Sequence, residues 1–164
     1  LAKKNNSDLF ISLHVDSLKK KKTRGTSIYT LSDKASDSIT AKLAERENKV
    51  DLIAGVNLED VDNEVASILL DLNRRETKNA SSLFAEDYVN ITRKNGHRLL
   101  RRPHRHAGFA VLKSTDIPSV LIELGFLSNS NDVKLLTKKK SRMRLLSSLA
   151  EAIELFAKKR ISLY

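Results

Sequence analysis

Pro118-Ser-Val-Leu-Ile-Glu-Leu-Gly-Phe-Leu-Ser-Asn129 is the stretch that says most about the fold of this chain. Its apolar run, residues 120–122, lies between Pro118 and Gly125, and a short run bounded in this way is typical of a buried strand. Glu123 stands at the carboxyl end of that strand, where ligands bind in open α/β sheets. A carboxylate is costly to bury without a partner. Position alone leaves two interpretations of Glu123 open, a hydrogen-bonded structural residue or a catalytic one.

A second apolar run, Asp8-Leu-Phe-Ile-Ser-Leu-His14, ends on a histidine. A neutral imidazole at a strand end is a common zinc ligand, although a lone histidine is more often a hydrogen-bonded core residue. Two strands far apart in sequence thus each deliver one acid/base or metal-binding side chain at the carboxyl end. If they lie side by side, His14 and Glu123 face one pocket, and metal-assisted hydrolysis suits such a pair.

Three blocks in one order carry a family resemblance: Ser12-Leu-His-Val-Asp16, Phe109-Ala-Val-Leu-Lys113, and residues 117–129 with their Glu-x-Gly-Phe-x-Ser-Asn pattern. Together they resemble the zinc-dependent N-acetylmuramoyl-L-alanine amidases of bacterial cell walls. The resemblance covers essentially the whole chain but only the C-terminal two thirds or so of that catalytic domain. It therefore implies an N-terminally truncated amidase domain, with further strands of the sheet expected upstream. Two outcomes stay open: the chain is part of a longer enzyme, or it is a shortened product without catalytic activity.

The resemblance implies a peptidoglycan hydrolase that cleaves the amide between N-acetylmuramic acid and L-alanine by zinc-activated water. Glu123 is then the general base and acid, and His14 is a Zn²⁺ ligand. The family's two other ligands, a histidine and a glutamate, are expected upstream of Leu1. Peptidoglycan is the implied substrate, an activator of the cell-division machinery the implied partner, and the periplasm the implied location.

Glu47 is a third candidate site residue. A helix is predicted over residues 32–48, and spacing by four places Ala35, Ile39, Leu43 and Glu47 on one face. Pattern alone favours an exposed carboxylate at a fraying helix end. The resemblance implies instead an autoinhibitory zinc contact in the amidases that respond to activators, with residues 50–95 as a candidate regulatory helical insertion.

Alternating strand and helix patterns predict an α/β fold with a central mixed, mostly parallel sheet flanked by helices, in a single domain over residues 1–164. Strands are expected at residues 9–14, 26–31, 107–113 and from Pro118 onwards. Helices are expected at residues 32–48, 61–75, 83–91, 133–136 and 143–156, with a polar break at 74–79. Residues 129–132 supply helix-capping side chains. The basic segment 92–106 is predicted to be a loop, with His104 and His106 as solvated residues in preference to metal or substrate contacts.

Composition narrows the function classes. The chain carries a net charge of +10 and no cysteine, so a metal site must use histidine and carboxylate ligands. It has no apolar run long enough for a transmembrane segment. Aromatic residues make up only 5% of the chain, which argues against a nucleic-acid stacking platform. The alternatives left open are a non-catalytic basic peptidoglycan-binding module and, with less support, a nucleic-acid-binding domain, although no nucleic-acid partner is expected.

Overall fold

The computed structural model describes residues 2, 5–53, 67–114 and 116–162. Within these residues four strands and four α-helices follow one another in an α/β arrangement. Their bounds are β1 Phe10–Asp16, β2 Thr26–Leu31, α1 Ser38–Ile53, α2 Ser67–Lys94, β3 Leu99–Ala107, β4 Ser119–Phe126, α3 Ser130–Thr137 and α4 Lys139–Ile161, with a short 3-10 helix at Ala110–Leu112. None of the helices in the described ranges is both long and apolar enough to cross a membrane.

The strands form one sheet in the order β1-β4-β2-β3. The first two strands in this order, β1 and β4, run parallel. The Phe10 N–H donates to the Pro118 carbonyl at 2.9 Å, and at the other end the Leu127 N–H donates to the Asp16 carbonyl at 2.7 Å. The two apolar runs that sequence analysis singled out are therefore neighbours.

Strands β2 and β3 are also parallel, whereas β4 and β2 are antiparallel. The Thr26 N–H donates to the Arg98 carbonyl at 2.9 Å, and the Ser32 N–H donates to the Ala107 carbonyl at 3.0 Å. Thr26, the first residue of β2, also reaches the end of β4 because its hydroxyl donates to the Glu123 carbonyl. The prediction of a mixed, mostly parallel sheet flanked by helices is confirmed.

By its contacts the chain divides into two compact units, which comprise residues 1–12, 29–82 and 105–121 in the first and residues 13–28, 83–104 and 122–164 in the second. The core of the first unit is built around Tyr29 and Phe109, whose ring centroids lie 5.4 Å apart. Ala44 of α1, Ala107 and Leu121 pack into the same cluster.

Helix α1 begins six residues later than predicted, at Ser38 rather than residue 32. Ser36 is bound to β3 and does not start the helix, because its N–H donates to the His106 carbonyl and its hydroxyl accepts from the His106 N–H, each at 2.8 Å. Asp37 then caps the helix, as its carboxylate accepts from the Thr40 N–H at 2.8 Å and from the Thr40 hydroxyl at 2.9 Å.

The core of the second unit lies under the C-terminal part of α2. Phe84 and Tyr88 are fully buried, and the Phe84 ring meets that of Phe156 edge-on at 5.6 Å. The Tyr88 hydroxyl is 3.2 Å from the Thr26 hydroxyl, and burial raises the pKa of Tyr88.

The predicted polar break at residues 74–79 is wrong, since α2 is continuous from Ser67 to Lys94. Arginine, glutamate and lysine are good helix formers, and the stretch contains neither glycine nor proline to end a helix. The part of the predicted helix over residues 61–66 lies outside the described residues. The candidate regulatory insertion, residues 50–95, includes the buried residues of α2 described above, and its regulatory role stays a prediction.

The predicted loop at residues 92–106 is also wrong. Leu99–Ala107 forms β3, a strand at one edge of the sheet. Arg101 and Arg102 are exposed on it, and Pro103 is tolerated because an edge strand has unpaired positions. Charged residues at a solvated edge hide the alternation that marks a half-buried strand.

The strand predicted over residues 107–113 ends after its first residue, and Ala110–Leu112 is a short 3-10 helix. The side chain of Asn48 replaces a neighbouring strand here. Its amide donates to the Gly108 carbonyl at 2.8 Å and accepts from the Ala110 N–H at 2.7 Å. The closing helices are confirmed and extend beyond their predicted ends, and Asn129 is the N-cap of α3.

Candidate active site

Glu123 lies in the last half of β4 with only 1% of its surface exposed. Its carboxylate leans towards the neighbouring strand, where Oε1 accepts a hydrogen bond from the Asp16 N–H at 2.7 Å. A charged hydrogen bond of this kind holds one carboxylate oxygen in place and offsets part of the cost of burial. The C-terminal end of β1 and the Glu123 side chain therefore form one local arrangement.

His14 occupies the matching position on β1. Leu13 and Val15 are 50% and 37% exposed, whereas His14 between them is half-buried, so the imidazole lies on the opposite face of the strand from these two residues. Counted from the bond between Phe10 and Pro118, residue 14 lies opposite residue 123, and counted from the bond between Leu127 and Asp16 it lies opposite residue 124. Paired residues on adjacent strands are about 4.8 Å apart. The structure thus brings together the two residues that sequence analysis paired.

Asp132 organises the loops around this end of the sheet, a role that sequence analysis missed. Only 3% exposed, it accepts from the Gly25 N–H at 2.8 Å and from the Phe126 N–H at 3.1 Å. Gly25 has a φ of +101°, and a Cβ there would lie 2.8 Å from the Arg98 carbonyl oxygen. Sequence analysis named Asp132 only as a helix-capping residue, because its partner Gly25 is 107 positions away along the chain.

Glu47 belongs to the first unit, whereas His14 and Glu123 belong to the second. Its side chain is 14% exposed and its Oε1 is 3.3 Å from an Arg46 nitrogen, so the expectation of an exposed carboxylate at a fraying end is wrong. The predicted stripe needs a correction, since Ile39 is 65% exposed and the buried face of α1 runs through Thr40 and Ala44 instead.

The other three histidines lie on or beside β3. The His97 Nε2 is 3.1 Å from the Arg144 carbonyl oxygen, which ties the segment before β3 to α4. His104 and His106 are separated by one residue of a strand and alternate with Arg105, which is 3.6 Å from Asp37.

The donor set for a metal is incomplete in the described part of the chain. No group of three or more histidine, aspartate or glutamate side chains converges there in a way that would hold an ion. Catalytic zinc sites typically take three protein ligands, and the arrangement at β1 and β4 offers one imidazole and one carboxylate. These residues alone do not build a zinc site.

The family model for N-acetylmuramoyl-L-alanine amidases matches residues 1–155 of the chain. The chain belongs to this amidase family. It is 36% identical over 155 residues to the N-acetylmuramoyl-L-alanine amidase AmiA of Escherichia coli K12, an alignment that covers 93% of the chain and 53% of that relative. The chain thus spans about half the length of this relative.

Solved amidase structures share the fold. The N-acetylmuramyl-L-alanine amidase Ami1 of Mycobacterium smegmatis superposes with a TM-score of 0.62 at 14% identity, over 96% of this chain and 57% of that one. The CwlD amidase of Clostridioides difficile, solved in complex with the GerS lipoprotein, gives 0.53 at 20% identity, over 93% and 56%. These structural similarities support the α/β assignment. At 14% and 20% identity they are evidence for the fold only.

Proposed function

We propose that this chain is part of a peptidoglycan hydrolase that cleaves the amide between the lactyl group of N-acetylmuramic acid and L-alanine. One observation carries the proposal: a buried glutamate in the last half of β4 is held by the end of β1, the strand that carries His14, in a chain of the amidase family. The stability of the sheet does not require a buried carboxylate near an imidazole. Such groups concentrate at active sites.

Glu123 is assigned as the general base and acid. It removes a proton from the attacking water as the new C–O bond forms at the carbonyl carbon. It then delivers that proton to the nitrogen of L-alanine as the C–N bond breaks, which leaves a lactyl carboxylic acid and a free amine. The Asp16 N–H holds Oε1 and orients the carboxylate for both transfers.

His14 is assigned as one ligand of a zinc ion, whose chemistry would be to polarise the carbonyl and acidify the bound water. The described residues do not complete the ligand set, so the remaining donors are not assigned. Glu47 is assigned an autoinhibitory role towards the metal, relieved by an activator protein of the cell-division machinery. A periplasmic location accords with a cell-wall substrate.

Release of dye-labelled peptidoglycan fragments tests the proposal. The full-length protein, supplied with Zn²⁺, is incubated with insoluble labelled wall, with and without a chelator. We expect soluble dye that the chelator abolishes and excess Zn²⁺ restores. Retention of the chain on the wall with no release under either condition would instead support the non-catalytic wall-binding module.

A further inference from the structure

We propose that a basic cavity in the second unit binds the free carboxylates of the peptide attached to the scissile amide, an inference that rests on the proposed function. The cavity has a volume of about 400 Å³. Its walls are the loop ahead of β2 and the start of β3, and its polar lining consists of Lys20, Lys22, Thr23, Arg24, Arg98 and Arg101.

The cavity is an open surface cleft lined by five cations, and none of the described residues that line it is acidic. The carboxylate of Asp132 lies beside one of these cations, with its Oδ1 3.7 Å from the Arg24 Nε. This separation is too long for a hydrogen bond, and the buried Nε has no hydrogen-bond partner in the described part of the chain. Clustered positive charges with so few carboxylates beside them attract anions. Guanidinium groups bind carboxylates particularly well.

The two walls are held in place by hydrogen bonds to their backbone groups. The Asn129 side chain donates to the Lys21 carbonyl at 2.8 Å, and the Gly25 N–H donates to Asp132 at 2.8 Å. The Thr26 N–H donates to the Arg98 carbonyl at 2.9 Å, which joins the loop to the start of β3. Because the backbone carrying the cations is fixed before a ligand arrives, less ordering entropy is lost on binding.

The cavity lies at the same end of the sheet as Glu123. Thr26 links the two, because its hydroxyl donates to the Glu123 carbonyl and its N–H donates to the Arg98 carbonyl. β3 is two strands away from β4 and three from β1, towards which the Glu123 carboxylate leans, a separation of about 10–14 Å at about 4.8 Å a strand. An extended peptide covers that distance in about three or four residues, so a carboxylate three or four residues beyond the cleaved bond reaches the cavity.

Binding of a defined peptide tests this inference. L-Ala-γ-D-Glu-L-Lys-D-Ala with free carboxylates and its fully amidated analogue are titrated into the full chain by calorimetry. We expect the free acid to bind at least about tenfold more tightly than the amide. The double variant Lys22→Gln/Arg101→Gln should lose this preference, since both side chains are exposed and their replacement removes charge without removing buried contacts.

The matched control is Lys139→Gln/Lys140→Gln, which removes the same charge from two exposed residues at the start of α4. It should keep the preference for the free acid. Equal binding of acid and amide, no binding of either, or the same loss in both double variants would overturn the inference. Inorganic phosphate competing more strongly than the peptide would assign the cavity to a phosphate-bearing ligand and would also overturn it.

These outcomes are separate from those of the dye-release assay. Dye release without discrimination between acid and amide would remove the carboxylate-binding role and leave the amidase assignment in place. Selective binding without dye release would remove the amidase assignment and leave the carboxylate-binding role in place. The two proposals therefore fail independently.

Discussion

At the residue scale, Glu123 is the position on which the proposed chemistry depends. Glu123→Gln should lower the rate of dye release by at least about 100-fold, because an amide cannot accept and return the proton. The fold should survive, since the glutamine carbonyl oxygen can still accept from the Asp16 N–H. Steady-state rates of dye release measure the loss of activity. Circular dichroism and metal content show whether the variant is folded and zinc-loaded. A variant that is folded, zinc-loaded and normally active would contradict the assignment.

His14 carries the second prediction at this scale. His14→Ala should weaken Zn²⁺ binding by more than the roughly 10–100-fold typical of losing an outer-shell partner, because it removes a ligand atom. Calorimetric titration after chelator treatment measures the change. His106→Ala is the matched control, since it removes an exposed imidazole from β3. Equal zinc affinity in wild type and His14→Ala would refute the ligand role.

At the scale of elements, the start of α1 depends on Asp37. The Thr40 backbone N–H is the largest cause that holds the pKa of Asp37 below its usual 3.8, so the ionised carboxylate is the form that stabilises the fold. Asp37→Ala should lower the free energy of unfolding at pH 7 by about 1 kcal/mol. Urea unfolding measures this change. Asp37→Asn, which keeps a capping oxygen, should lower the free energy of unfolding by less than Asp37→Ala.

The pH dependence of stability gives a second measurement on the same cap. A lowered carboxyl pKa contributes stability that is present above the unfolded value and is lost as the pH falls through the lower folded value. The stability gap between wild type and Asp37→Asn should therefore narrow as the pH falls below 3.8. A gap that stays constant from pH 7 to below that point would show that the charge of Asp37 does not matter.

At the scale of the whole molecule, autoinhibition is the property to test. Glu47→Ala should raise basal dye release in the absence of an activator, because it removes the carboxylate assigned to the inhibitory contact. Glu45→Ala is the matched control. It removes an exposed carboxylate of the same helix whose partner is Lys49 at 2.8 Å. Unchanged or lower basal release in Glu47→Ala would refute the regulatory role.

Local patterns in the sequence were sufficient for β1 and β4 and for the candidate residues that these strands carry. An apolar run bounded by proline and glycine has few alternatives to a buried strand, and the positions of His14 and Glu123 at the ends of such runs follow from the runs themselves. The Asn129 cap and the closing helices were likewise predictable, because capping and helical periodicity act over a few neighbouring residues.

Tertiary structure alone decided the rest. Arg101 and Arg102 lie in a strand because β2 pairs with this segment, and the backbone after Ala107 turns because the Asn48 side chain binds it from 62 positions away. Sequence shows which residue types are present, but the partner of a hydrogen bond far along the chain depends on how the chain folds back. For that reason the sequence by itself determined the α/β class and the candidate pair, whereas the basic cavity and the role of Asp132 appear only in the folded chain.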